Sequence, residues 1–195
     1  MITEVTAIDI GDGVKFEIRD VAEIMDEAEY PGIRVSLESL YEGIRTPLKL
    51  DISTGDIITP REIVYGMKLM FEKREIQLLA YNIETVLAEK METIIARDVS
   101  NTRMRDFYDV HILLSLYGEQ VDKNYFKEAL DKTALKRGSK KLFLEVEEIL
   151  NDIEDSGYMQ RLWISYQNKF NYADDVLWEE IMMSVRNLWD SYKGR

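Results

Sequence analysis

A chain of 195 residues, 46% hydrophobic and 32% charged, can bury one core, or one core with a helical annex, which excludes a disulfide mini-protein and a disordered tail. With no cysteine and a single histidine, His111, it has no thiolate nucleophile, no zinc–thiolate centre and no multi-histidine metal site. Its 25 basic against 37 acidic residues leave a net charge of −12, which opposes general binding to phosphate backbones or anionic lipid but permits a specific nucleotide site.

The opening MITEVTAIDIGDG has no basic leader and no apolar core, and no run approaches the ~18 consecutive apolar residues of a membrane span. A soluble, cytoplasmic protein with no membrane partner is expected. Residues 5–53 hold short runs rich in valine and isoleucine, which predict four strands: EVTAIDI, VKFEI, PGIRVSLESL and TPLKLDIS. A short helix is expected over residues 21–28, and Asp12-Gly13 between two alternating runs predicts a hairpin turn. This first part reads as a small, mostly antiparallel sheet.

After Pro60 the run REIVYGMKLMFEKREIQLLAY leaves helix and strand both open; a loop followed by a strand over residues 76–80 is expected. The period then becomes helical. Ile83, Val86, Leu87, Lys90, Met91 and Ile94 recur at three- and four-residue steps and predict a helix over Ile83–Arg97. The polar break DVSNT separates it from a helix over residues 103–116, stopped at Gly118 by a left-handed glycine cap. Further helices are expected at Lys123–Lys136 and at residues 140–153, 158–170 and 174–192. The fold class is therefore α+β, with a sheet region over residues 1–80 and a helical region over residues 81–195.

Three groups of residues could carry chemistry. In LKLDIS, alternation puts Lys49, Asp51 and Ser53 on one strand face, where Asp51 is either a metal-binding carboxylate suited to magnesium or part of a solvated face. Lys90 shares the apolar face of its helix; it either meets a carboxylate or an anionic ligand such as a triphosphate, or snorkels from the core edge. A partly exposed ion pair there would contribute about 1 kcal/mol or less. In NTRMRDFYD, Asp106 and Asp109 share a helix face, and Arg105 and Asp109 are spaced to pair. That segment is either helix-dipole compensation with a surface ion pair, or a network in which Asp109 orients Lys90 and the arginines face phosphate.

Taken in order, the strand ending DIS with the following TGDIITP, the helix YNIETVLAEKMETIIAR, and NTRMRDFYDVHILL resemble the abortive-infection nucleotidyltransferase toxins of the AbiEii/AbiGii type, over about residues 4–117. The resemblance implies a polymerase-beta-like nucleotidyltransferase sheet followed by a helical C-terminal region, in a bacterial toxin–antitoxin, phage-defence system. It implies magnesium-dependent transfer from a nucleoside triphosphate to an RNA or other acceptor, and a cognate antitoxin as partner. By the resemblance, Asp51 is the third, metal-binding carboxylate, Lys90 the triphosphate-side lysine and Asp109 the acidic catalytic element. Asp106 stands beside it, and Arg103 and Arg105 are secondary phosphate contacts.

The family's first motif, a Gly-Ser turn followed by Asp-x-Asp on a strand, has no counterpart in these residues; Asp9-Ile10-Gly11-Asp12 has the wrong spacing and reads as a turn. The expectation is a truncated family member, inactive by itself, with weak or absent magnesium binding. The alternative is a non-catalytic nucleotide- or antitoxin-binding module. A missing sheet strand would leave an edge open to homodimerisation. Two smaller signals remain. KTALKRGSKK is either a solvated interhelical turn or a patch for RNA or an acidic antitoxin, and His111 reads as a core-edge histidine rather than a general base. The aromatic residues concentrated after Tyr158 read as packing, or, if exposed, as a partner surface.

Overall fold

The computed structural model describes residues 1–25, 31–53 and 55–194. The chain divides into two compact units, Met1–Asp56 and Ile57–Arg195. Mixed helix and antiparallel strand content makes the fold α+β.

The first unit holds a short helix, α1 (Ile2–Thr6), and three strands, β1 (Lys15–Met25), β2 (Pro31–Tyr41) and β3 (Ile44–Ile52), paired antiparallel in that order. EVTAIDI is thus a helical turn and not a strand. Its hydrogen bonds are local, Val5 N–H to the Met1 carbonyl at 3.0 Å, and alternation without a pairing partner has no ladder to enforce it. The GDG segment is a turn, but not a hairpin. Asp9 and Asp12 each accept a backbone N–H two residues on, at 2.8 and 2.9 Å, and Gly11 and Gly13 both have φ +76°. Among the described residues, a hairpin of this sheet turns at Glu42-Gly43, at φ 46° and 85°, closing Tyr41 opposite Ile44. Glutamate is a poor marker of such a turn, so the motif carries little sequence signal.

The helix expected over residues 21–28 is corrected as well: Val21 to Met25 continue β1, while residues 26–28 lie outside the described residues. A register shift between Ile18 and Asp20 brings Ile18 opposite Leu37 and Val21 opposite Val35. An inserted residue turns the strand's two-residue period into a three-residue step, which imitates a helix. Ile18, Leu37 and Leu48, then Val21, Val35 and Leu50, form rows on one face. Only the central Val35 and Leu37 are buried; Phe16, Val21, Leu48 and Leu50 are exposed. The opposite face is polar, with Arg19 and Arg45 converging on Glu38.

The second unit opens with an antiparallel ribbon, β4 (Ile63–Lys68) and β5 (Glu75–Ala80). The second strand lies where expected; β4 takes the place of the expected loop, and apolar residues on both of its faces with Gly66 between them hide its strand pattern. Six helices follow: α2 (Ile83–Arg97), α3 (Met104–Tyr117), α4 (Lys123–Lys136), α5 (Val146–Asp155), α6 (Gly157–Lys169) and α7 (Trp178–Lys193). Their core includes Leu87, Ile94, Phe107, Phe126, Leu130, Ile153, Met159 and Ile181, all at 0% exposure. Each such side chain contributes about 1.5–3 kcal/mol of burial free energy.

Helix starts are set by side-chain caps. The Asn82 carboxamide oxygen accepts the Thr85 N–H at 2.8 Å, and its amide donates to the Thr59 and Arg61 carbonyls, tying α2 to the chain before β4. Asp122 caps α4 in the same way. Gly118 departs from expectation: at φ −54° it continues into the 3-10 turn Gly118–Gln120, so α3 does not end in a left-handed cap. Left-handed glycines do follow two other helices, Gly138 after α4 and Gly194 after α7. The helix expected over residues 140–153 is a 3-10 segment, Lys140–Leu144, followed by α5.

Candidate functional site

Helices α2 and α3 are joined by a break short enough to keep them neighbours. Buried Asn101 shapes its end, its side-chain oxygen accepting the Arg103 N–H at 2.9 Å where α3 begins. Leu87, Met91 and Ile94 of α2 and Met104, Phe107 and Val110 of α3 enter the core, and this fixes the rotation of both helices. Lys90 and Asp106 are thereby placed at the core edge, facing each other.

The Lys90 Nζ lies 2.6 Å from Asp106 Oδ1 and 2.8 Å from Asp109 Oδ2. Asp106 has a side chain only 2% exposed, and its second oxygen faces Arg103 Nε at 3.0 Å. Arg105 stands 3.9 Å from Asp109, a looser and more exposed contact. Lys90, Arg103, Arg105, Asp106 and Asp109 thus converge as the spacing suggests, but the buried anchor of Lys90 is Asp106, with Asp109 at the rim. Together with Thr102, Met104 and Tyr166 they line an open cleft of about 340 Å³. Its three cations against two carboxylates make this a locally positive spot on an acidic protein. Tyr166 of α6 is the residue that sequence reasoning missed as part of the site. Nothing local marks it, because only packing brings α6 beside α3.

Burial alone would push the Lys90 ammonium down, but its hydrogen bonds to Asp106 and Asp109 outweigh that and hold it above its ordinary range. A lysine raised in the folded state contributes stability that is full below its unfolded value, about pH 10.4, and is lost as pH rises through the higher folded value. The melting-temperature gap between wild type and Lys90→Met is therefore expected to stay constant from about pH 7 to about pH 9 and to narrow above about pH 10.5. A gap that persists unchanged at higher pH would contradict the charged pairing.

Asp51 is described within its own unit. Arg34 grips it bidentately, Nε to Oδ1 and Nη2 to Oδ2 each at 2.7 Å, across the β2–β3 ladder. That guanidinium holds the Asp51 carboxyl below the usual carboxylate range. His111 lies outside the Lys90 cleft; its Nδ1 meets Ser184 Oγ at 2.9 Å, and that hydroxyl donates to the Glu180 carbonyl. In the basic segment, Lys132 pairs with Glu128, Arg137 with Glu92, and Lys140 with Asp131, so at least three of the five cations are engaged within the fold. Of the late aromatics, Trp163, Trp178 and Trp189 are buried in the core.

The sequence matches the family described as nucleotidyl transferase AbiEii toxin, type IV TA system, over residues 1–184. The chain belongs to the AbiEii family. The match extends well past residue 117, through α4 to α6 and into α7, so the C-terminal helices belong to the family pattern too. No curated protein and no solved structure matches the chain. As an AbiEii member it is assigned to the nucleotidyltransferase toxins of type IV toxin–antitoxin systems, which implies a nucleotide substrate and an antitoxin partner. Among the described residues no helix is long and apolar enough to cross a membrane.

Nucleotidyltransferases typically use a divalent metal, and the donors of this AbiEii chain can be tested for one. Both oxygens of Asp51 are taken by Arg34, and Asp106 and Asp109 are directed at Lys90. No group of three or more His, Cys, Asp or Glu among the described residues is placed to hold a metal ion. The described donors by themselves do not fit a two-magnesium site, which needs several oxygens converging on each ion.

Proposed function

We propose that this chain is the triphosphate-binding part of a nucleotidyltransferase toxin that transfers nucleotides to an RNA or other acceptor only when the paired carboxylates of the family's first motif are supplied to it. The observation that supports this reading is the Lys90 ammonium held between Asp106 and Asp109 on the same rim as Arg103 and Arg105. A lysine fixed in this way keeps its charge and its direction, and the guanidinium groups beside it carry the donors that suit phosphate oxygens. Asp106 acts as the buried anchor, and the arginines supply forked donors for the outer phosphates. Asp51 is the metal-binding carboxylate among the family residues this chain brings, Asp109 being the acidic catalytic element, and Asp51 becomes available to a metal only if Arg34 lets it go.

By itself the chain is expected to transfer no nucleotide. Incubation with labelled nucleoside triphosphates, magnesium or manganese, and total bacterial RNA should leave no covalent label on RNA or protein. Robust labelling that disappears in Asp51→Ala would overturn this reading. A second reading, a non-catalytic module that docks on its antitoxin, is favoured by the exposed apolar face of β1 to β3, with Phe16, Val21, Leu48 and Leu50 uncovered. Co-sedimentation with the antitoxin by a chain that binds no nucleoside triphosphate would favour the second reading over the first.

A further inference from the structure

Tyr166 enters the Lys90 cleft from α6, far in sequence from the other lining residues. Its ring is held on several sides: stacked against Trp163 with centroids 5.5 Å apart and planes at 20°, and tilted against Phe170 at 4.7 Å and Tyr108 at 6.2 Å. Its hydroxyl meets that of Tyr172 at 2.9 Å, and Tyr172 stacks on Phe170. Burial, then the Tyr172 hydroxyl and the nearby Asp109 charge, push the Tyr166 phenol up, so it stays neutral at any physiological pH. The cleft therefore joins two chemically distinct parts: a cationic rim of Lys90, Arg103 and Arg105, and one neutral aromatic residue, Tyr166, braced by other rings. Tyr166 is only half-buried, and it lines a cleft of about 340 Å³, at the small end of the ~300–1,000 Å³ typical of small-ligand sites.

We infer that Tyr166 is the nucleobase-stacking residue of the site, receiving the base of the nucleoside triphosphate whose phosphates meet Lys90, Arg103 and Arg105. This rests on the triphosphate-binding reading above and names the part of the ligand that reading leaves unassigned. Stacking uses the face that every base has, so all four nucleoside triphosphates bind, purines more tightly than pyrimidines because they cover more of the ring. The Tyr166 ring is held by Trp163, Phe170 and Tyr108, so little ordering is required when the base arrives.

The test compares the four nucleoside triphosphates with inorganic tripolyphosphate, by calorimetry on the full chain. Wild type is expected to bind ATP roughly tenfold or more tightly than tripolyphosphate, the increment ascribed to one stacked base. Tyr166→Leu is expected to bring ATP down to the tripolyphosphate level with tripolyphosphate itself unchanged, while Tyr166→Phe keeps the preference. Lys90→Ala should weaken both ligands and keep their ratio. Equal wild-type affinity for ATP and tripolyphosphate, or a preference that survives in Tyr166→Leu, overturns the assignment of Tyr166 alone. Binding of neither ligand by wild type overturns the triphosphate reading as well. If Tyr166→Leu fails to fold, photolabelling of wild type with 8-azido-ATP decides. Label on the tryptic peptide LWISYQNK, which contains Tyr166, supports the inference, and label confined to other peptides overturns it.

Discussion

Lys90→Ala is expected to cost about 2–4 kcal/mol of stability and to weaken the binding of triphosphate about tenfold or more. From sequence, the pair looks partly exposed and worth about 1 kcal/mol or less. The structure changes the estimate because the Asp106 side chain is only 2% exposed and Lys90 is the partner of its Oδ1 at 2.6 Å. Without the ammonium, that oxygen is left in a place water does not reach. Removing one member of a buried pair typically costs about 3–5 kcal/mol; Arg103 on the other oxygen and the partial exposure of Lys90 lower the figure. Two effects of the substitution can be separated. Adding Asp106→Asn to Lys90→Ala removes the stranded charge and should restore most of the stability, but none of the affinity. Urea midpoints and tripolyphosphate titrations on the three proteins read both quantities. Unchanged stability and unchanged affinity in Lys90→Ala would place the lysine as a bystander at the core edge.

Arg137→Ala should be about equally damaging, at about 3 kcal/mol, although Arg137 belongs to the basic segment that from sequence could be solvated. Glu92 is 3% exposed on its side chain; its Oε2 takes the Arg137 guanidinium at 2.7 Å and its Oε1 the Ser139 hydroxyl at 2.6 Å. Arg137 also reaches Thr93 Oγ1 at 3.3 Å, so it fastens the end of α4 to the middle of α2. Its loss leaves a buried carboxylate with a single hydroxyl. A double variant, Glu92→Leu with Arg137→Leu, removes both charges and should recover most of the loss, since apolar replacement of a buried pair is often near neutral. A urea midpoint for Arg137→Ala indistinguishable from wild type would mean that the pair is screened by water. This use of Arg137, with Lys132 and Lys140 also ion-paired, ties the basic segment to the fold and reduces what it can offer to an RNA.

The sequence by itself determined the parts of this protein whose causes are local. The bounds of α2 and α4 follow from apolar spacing and from Asn82 and Asp122, caps that act within a single turn. The meeting of Lys90 with Asp106 and Asp109 follows from helical period and a short connection, and the family resemblance rests on those same residues. Tertiary structure alone decided whatever depends on a partner distant in the chain. The β1 bulge imitates helical spacing until β2 pairs with it, and EVTAIDI alternates like a strand yet begins as a helical turn with no paired strand among the described residues. Asp51 looks like a free ligand until the β2–β3 register puts Arg34 across from it, 17 residues away. Burial of Asp106 turned a surface ion pair into a structural one, and packing of α6 brought Tyr166 to the cleft. Helical period and capping are encoded within a few residues; desolvation and cross-strand pairing belong to surfaces that exist only once the chain has folded.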